Sequence, residues 1–178
     1  SAILVSLAMF IPGIIFGANL NFNIVTGVQS DNSILVELFV DPQSKIINVV
    51  EGEIKFSGVA SKDLSVQVEN GQSVLSIWPV PPVYNSEKKS VVFTGGVPNG
   101  FNTKSLLFRL RIKSEVSEDI NISYLNTAIY LNDGNGTQES IKPASFKITT
   151  DKNGKIDLVE ISSGFSSYKY VIILLLLI

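Results

Sequence analysis

Apolar and polar residues alternate with a period of two along much of the chain. Over residues 46–56, Val50, Gly52, Ile54 and Phe56 fall on one side, and Val49, Glu51, Glu53 and Lys55 on the other. That period is the mark of a strand with one buried face. Residues 106–112 repeat it, with Leu106, Phe108, Leu110 and Ile112 set against Arg109, Arg111 and Lys113. Residues 33–40 are rich in strand formers and close at Asp41-Pro42. The same reading places strands at 20–25, 64–69, 74–78, 90–94, 120–131 and 140–149. Turn chemistry falls between them at Asn70-Gly71, Pro81-Pro82, Gly95-Gly96, Asn99-Gly100, Asp133-Gly134 and Asn153-Gly154. No stretch holds a helical period. About nine short strands at regular spacing predict an all-β, antiparallel sandwich, of immunoglobulin-like or jelly-roll topology.

The two ends break this pattern. Residues 1–30 carry no Asp, Glu, Lys or Arg, and residues 2–16 are almost wholly apolar before Gly17-Ala18. An apolar run ending in small residues reads as a signal peptide over 1–18, shortened at its N-terminus because Ser1 rather than Met opens the chain. Pro12-Gly13 argues against one continuous helix there. At the other end, a Ser/Gly stretch over 162–167 leads to Tyr168-Lys169-Tyr170 and then eight aliphatic residues, 171–178. A spanning helix needs about 20 apolar residues, so 164–178 reads as a stalk and the start of a truncated transmembrane helix. Tyr168 and Tyr170 suit the interface, and Lys169 the headgroups. Residues 19–163 remain as the sandwich, placed outside the cell and anchored to the membrane.

Composition narrows the chemistry. The chain of 178 residues has no histidine and no cysteine. That excludes disulfides, a Ser-His-Asp triad, a Cys-His pair and zinc held by His and Cys. A net charge of −2 with scattered charges gives no basic footprint for nucleic acid. A carboxylate enzyme is the remaining catalytic option. Glu51 and Glu53 share a strand face about 7 Å apart by strand rise, a spacing a glycosidase could use. Lys55 continues the same row, so it reads instead as a non-catalytic, solvated face. Asp133 and Asn135 offer hard oxygens to calcium, but one carboxylate is too little charge, and the segment reads as a turn. The Asp151–Asp157 stretch reads likewise as a hairpin turn. The sequence therefore implies no metal and no cofactor. Trp78, the only tryptophan, reads as a structural aromatic rather than a sugar platform. Asn121-Ile122-Ser123 and Asn135-Gly136-Thr137 match the glycosylation sequon.

Several segments resemble one family. The runs Val40-Asp41 and Ile46-Ile47-Asn48-Val49-Val50-Glu51-Gly52-Glu53-Ile54-Lys55-Phe56 resemble the early strands of cohesin modules. So do Ile77-Trp78, then Val92-Phe93-Thr94-Gly95-Gly96-Val97-Pro98-Asn99-Gly100-Phe101, then 106–112, and then Tyr130-Leu131-Asn132-Asp133-Gly134-Asn135-Gly136. The resemblance implies a nine-stranded jelly-roll sandwich, related to some carbohydrate-binding modules. It implies a non-catalytic module that binds a dockerin-type protein partner on the sheet containing the third strand. By alternation, Val92 and Thr94 lie outward beside that strand while Val91 and Phe93 lie inward. The expected partner-binding face is therefore Val49, Glu51, Glu53, Lys55, Val92 and Thr94. A carbohydrate-binding module and a structural surface or adhesin domain are the other readings, the former with a polysaccharide as ligand.

Overall fold

The computed structural model describes residues 17–25, 33–58, 64–114, 119–141, 144–150 and 156–161. Eleven strands form among them: β1 (Asn19–Ile24), β2 (Ile34–Asp41), β3 (Ile47–Ser57), β4 (Leu64–Glu69), β5 (Ile77–Asn85), β6 (Ser90–Phe101), β7 (Ser105–Ser114), β8 (Ile120–Leu131), β9 (Gln138–Ser140), β10 (Ala144–Thr150) and β11 (Ile156–Ile161). They build two antiparallel sheets, one in the order β1-β2-β7-β4 and one in the order β11-β10-β8-β3-β6-β5, with β9 on β8. The result is a jelly-roll β-sandwich. The apolar segments 2–16 and 171–178 and the Ser/Gly stretch lie outside the described residues. Among the described residues no helix is long and apolar enough to cross a membrane.

The alternation read along β3 places the core. Val50, Ile54 and Phe56 are buried, and they meet Val36, Leu38, Phe108 and Leu110 of the opposing sheet in one apolar cluster. Phe93 on β6 and Phe108 on β7 touch across the interior, ring centroids 5.0 Å apart and edge to face, a favoured aromatic geometry. Trp78 packs on the same cluster with its ring 6.5 Å from Phe108, as expected of a structural aromatic. It fits because Gly95 lies beneath it, where a Cβ would stand 2.6 Å from the indole.

Several local expectations change. Gly95-Gly96 is not a turn: β6 runs straight through it to Phe101. Pro81-Pro82 is not a turn either, but part of β5, an edge strand that pairs only with β6. Proline is tolerated at an edge because no ladder hydrogen bond is lost there. In β7 the alternation slips at Leu107, which is fully buried while Leu106 is half-buried. The cause is a bulge: Leu38 pairs with Phe108 and Phe39 with Leu106, leaving Leu107 as an extra residue. The two strands beyond the expected nine are β9 and β11. Residues 151–155 of the expected hairpin turn lie outside the described residues, but the flanking strands pair from Thr150 with Ile156 onward.

Where β1 meets β10, Phe22, Tyr124 and Phe146 pack ring against ring, with centroids 5.2–6.2 Å apart. Burial, and secondarily the Glu160 carboxylate, push the Tyr124 phenol above its ordinary pKa of 10.0. The folded chain therefore holds this proton to higher pH than the unfolded chain does. The resulting stability is complete below about pH 10 and is lost as pH rises through the raised value. Thermal melts at pH 9 and pH 11 should show a drop in Tm that Tyr124→Phe makes smaller. An equal drop in both proteins would remove this explanation.

Candidate partner-binding face

The two outer faces of the sandwich differ in how their charges are used. On the four-stranded sheet, Arg109 pairs with Glu37 at 2.9 Å and Arg111 with Glu69 at 2.8 Å. Arg109 also donates to Gln72. Those strands carry a ladder of satisfied cross-strand pairs, and none of the strongly exposed large apolar residues among the described residues lies on them. The seven-stranded sheet is the reverse. Ile77, Val80, Val83, Val92, Leu125, Val159 and Ile161 are all exposed, and the strand registers place all seven on its outer face.

Every expected face residue lies there. Val49, Glu51, Glu53 and Lys55 project outward from β3, and Val92 and Thr94 from β6 beside it. Cross-strand pairing sorts them into rows. One row runs Val83, Val92, Glu53, Leu125; the next runs Val80, Thr94, Glu51, Ala128; a third runs Ile77, Gly96, Val49, Tyr130. Lys55 stands beyond, opposite Ser123. The β3 side chains are half-buried rather than freely solvated, because β3 lies between β6 and β8 and both neighbours crowd it. Val92, at 48%, is the most exposed of the six.

Glu51 is not idle. Its Oε1 accepts the Tyr130 hydroxyl at 2.7 Å, and that bond, more than burial or the carboxylate's charge, raises the Tyr130 pKa. Neither Glu51 nor Glu53 has a cationic partner among the described residues. Glu51 lines an open hollow of about 460 Å³ together with Asn48, Tyr130, Asn132 and Gly134. Within its own row Glu53 is flanked by apolar Val92 and Leu125.

Strict alternation could not find Tyr130 or the β5 residues. On β8, Glu51 pairs with Ala128 and Glu53 with Leu125, so Asn126 and Thr127 together oppose Gly52 alone. Asn126 takes a positive φ of 47°, Thr127 turns inward over Gly52, and beyond this bulge Ala128 and Tyr130 face outward opposite Glu51 and Val49. On β5, two irregularities put Ile77, Val80 and Val83 outward at every third residue. The only sequence signal was the cluster of prolines between them.

The loop segments that carried the resemblance adjoin at one end of this face. Gly100, at φ 66°, bends β6 next to Ile46, and Asn132 binds both sides of that bend. Its amide donates to the Asn99 carbonyl at 3.1 Å, and its backbone N–H donates to the Ile46 carbonyl at 2.9 Å. Asp133 caps its own loop through the Asn135 N–H at 2.9 Å and the Thr137 hydroxyl. The Thr137 bond, and then the Asn135 bond, hold its carboxyl below the usual carboxylate range. Its oxygens are thus engaged as the turn reading expects. Among the described residues no cluster of three or more Asp, Glu, His or Cys is arranged to hold a metal.

No protein-family model matches the chain, and no curated protein matches it by sequence. Solved structures do match. A cohesin module from a Clostridium perfringens family 33 glycoside hydrolase superposes with a TM-score of 0.52 at 12% identity, covering 74% of this chain and 94% of that one. A cohesin from a type I cohesin–dockerin complex of Clostridium thermocellum gives a TM-score of 0.51 at 13% identity, covering 72% of this chain and 92% of that one. Nearly the whole of each module is matched by the sandwich described above, and the chain has the fold of the cohesin modules.

Proposed function

We propose that the chain is a non-catalytic binding module that holds a protein partner, of dockerin type, on the outer face of its seven-stranded sheet. The contrast between the two faces carries this reading. One satisfies its own charges, whereas the other exposes a band of apolar residues around two carboxylates that, among the described residues, pair with no lysine or arginine. Exposed apolar patches rimmed by polar groups mark interaction sites, and a standard interface of about 800 Å² per partner fits a sheet face of this size. Dockerin bound to the Clostridium thermocellum cohesin supports a protein as the ligand. The apolar ends fit this use as leader and membrane anchor, which would place the module on the outside of the cell envelope. A glycan ligand is the weaker reading, because Trp78 packs on the core and, among the described residues, Tyr130 alone offers an aromatic ring on that face.

A pull-down with the full chain from proteins secreted by its source should yield a partner that rebinds it as a purified 1:1 complex, and a glycan array should stay silent. Saturable binding to a polysaccharide with no protein captured would replace this reading with the carbohydrate one.

A further inference from the structure

The row Ile77, Gly96, Val49, Tyr130 contains a gap. Gly96 has no side chain, so a notch of about 200 Å³ opens between its neighbours. Val49, Ile77, Pro79, Val97 and Pro98 wall it and the Gly96 backbone floors it. We propose that this notch is the anchoring pocket of the binding face. It takes one bulky aliphatic side chain of a protein segment that also presents a lysine or arginine to Glu51 and Glu53. The inference rests on the protein-binding reading above and specifies the chemistry of the partner.

The walls suit an anchor. Prolines and β-branched side chains have little rotamer freedom to lose, so the pocket is preformed and binding does not have to order it. Water inside an apolar notch finds few partners, and an aliphatic group that displaces it gains affinity. In interfaces, a few residues seated in well-packed pockets dominate binding energy. The gap also depends on glycine. A Cβ at Gly96 would sit 3.1 Å from the Asn48 carbonyl oxygen and 3.4 Å from Val49 Cγ2, so any larger residue there fills the space.

The cation follows from what lies beside the notch. Glu51 is two residues along β3 from Val49, about 7 Å by strand rise. Its Oε1 holds Tyr130, and among the described residues no lysine or arginine pairs with it or with Glu53. A partner that buried these carboxylates unpaired would incur a large desolvation cost, so complementarity demands a positive group about 6–7 Å from the anchor. Positions i and i+4 of a helix, about 6 Å apart along the axis, meet that spacing. The partner must lie on the face rather than extend the sheet at β5, because Pro79, Pro81 and Pro82 interrupt that edge.

Alanine-based helical peptides of about 18 residues, long enough to hold helix in water, provide the probe. One carries Leu at i and Arg at i+4, the second replaces Leu by Ala, and the third replaces Arg by Glu. Titrated into the full 178-residue chain and followed by amide NMR, the first should shift Ile77, Thr94 and Gly96 saturably. The other two should bind at least about tenfold more weakly. Gly96→Val should weaken the first peptide by a similar factor with Tm held within a few degrees. Ile77→Ser, at an exposed position on an edge strand, removes a wall and serves should Gly96→Val fail to fold. The inference is overturned by an absence of saturable shifts at these amides, by equal binding of the Leu and Ala peptides, or by unchanged affinity in both variants. The protein found by pull-down separates this from the broader reading. If Gly96→Val leaves its binding intact while Glu51→Arg with Thr94→Arg abolishes it, the notch is wrong and the face stands. If neither change matters, both are wrong.

Discussion

Phe93→Ala will destabilise the domain by about 3–5 kcal/mol, lowering Tm by roughly 6–20 °C for a chain of this length. The ring is 1% exposed and stands edge-on to Phe108 at 5.0 Å, where interior strands of the two sheets face each other. Phe108 in turn touches Trp78, so truncation leaves a cavity bordered by rings too large to close it. With no cysteine in the chain, no cross-link limits the loss. Val92→Ala, one residue away on the outer face, should stay within about 0.5 kcal/mol of the parent. Thermal melts of the two variants measure the difference directly. A Phe93→Ala protein that melts with Val92→Ala would mean that the alternation along β6 has been read on the wrong phase.

That phase was legible because β3 and β6 lie in the middle of a sheet with one face buried, where a period of two is enforced by the core. Val50, Ile54, Val91 and Phe93 are all essentially inaccessible, as the spacing requires. Legibility failed where the period itself changes. Leu107 is an extra residue opposite Leu38 and Phe39, and no composition rule announces a bulge. On β5 the prolines resembled a turn, since Pro-Pro is a common loop signal. Their edge position, which makes them harmless to the ladder, is a tertiary fact. Residues 156–161 were missed for a different reason. Glu160 pairs opposite Phe146 on the inner side but at the open rim of the sandwich, so a charge sits where the pattern wants an apolar residue.

The candidate site divides along the same line. Its β3 row and its β6 pair could be read from alternation alone. Most of its apolar half could not: Leu125 keeps the phase of Asn121 and Ser123, but Tyr130 faces outward only because the Asn126–Thr127 bulge inverts the phase of β8, and Ile77, Val80 and Val83 follow a period of three. The notch at Gly96 was hidden by the most ordinary reading of Gly-Gly, that of a turn. In the structure the two glycines have opposite duties: Gly95 makes room for Trp78 inside, and Gly96 leaves a gap outside.

Replacing both Glu51 and Thr94 by Arg should abolish partner binding while moving Tm by only a few degrees. The two positions are direct cross-strand partners at the centre of the face, with their Cβ atoms about 4.5–5.5 Å apart. Their row is the low one, since Thr94 is short and Ala128 at its end is small and buried. Two guanidinium groups would fill that depression and place like charges where a carboxylate now stands. They would also set positive charge against the cation that the partner is expected to bring. Loss of two or more orders of magnitude in affinity corresponds to at least about 2.7 kcal/mol, within reach of a steric and charge clash at an interface centre. The fold has little at stake, because Glu51 holds only the Tyr130 hydroxyl, which solvent can replace, and outward substitutions of this kind usually cost under about 0.5 kcal/mol each. Binding measured on the purified partner, alongside a melting curve, decides it. Should the double variant bind as tightly as the parent, the face is misplaced. The end of the sandwich where Asn132 ties the Gly100 bend to Ile46 then becomes the surface to mutate next.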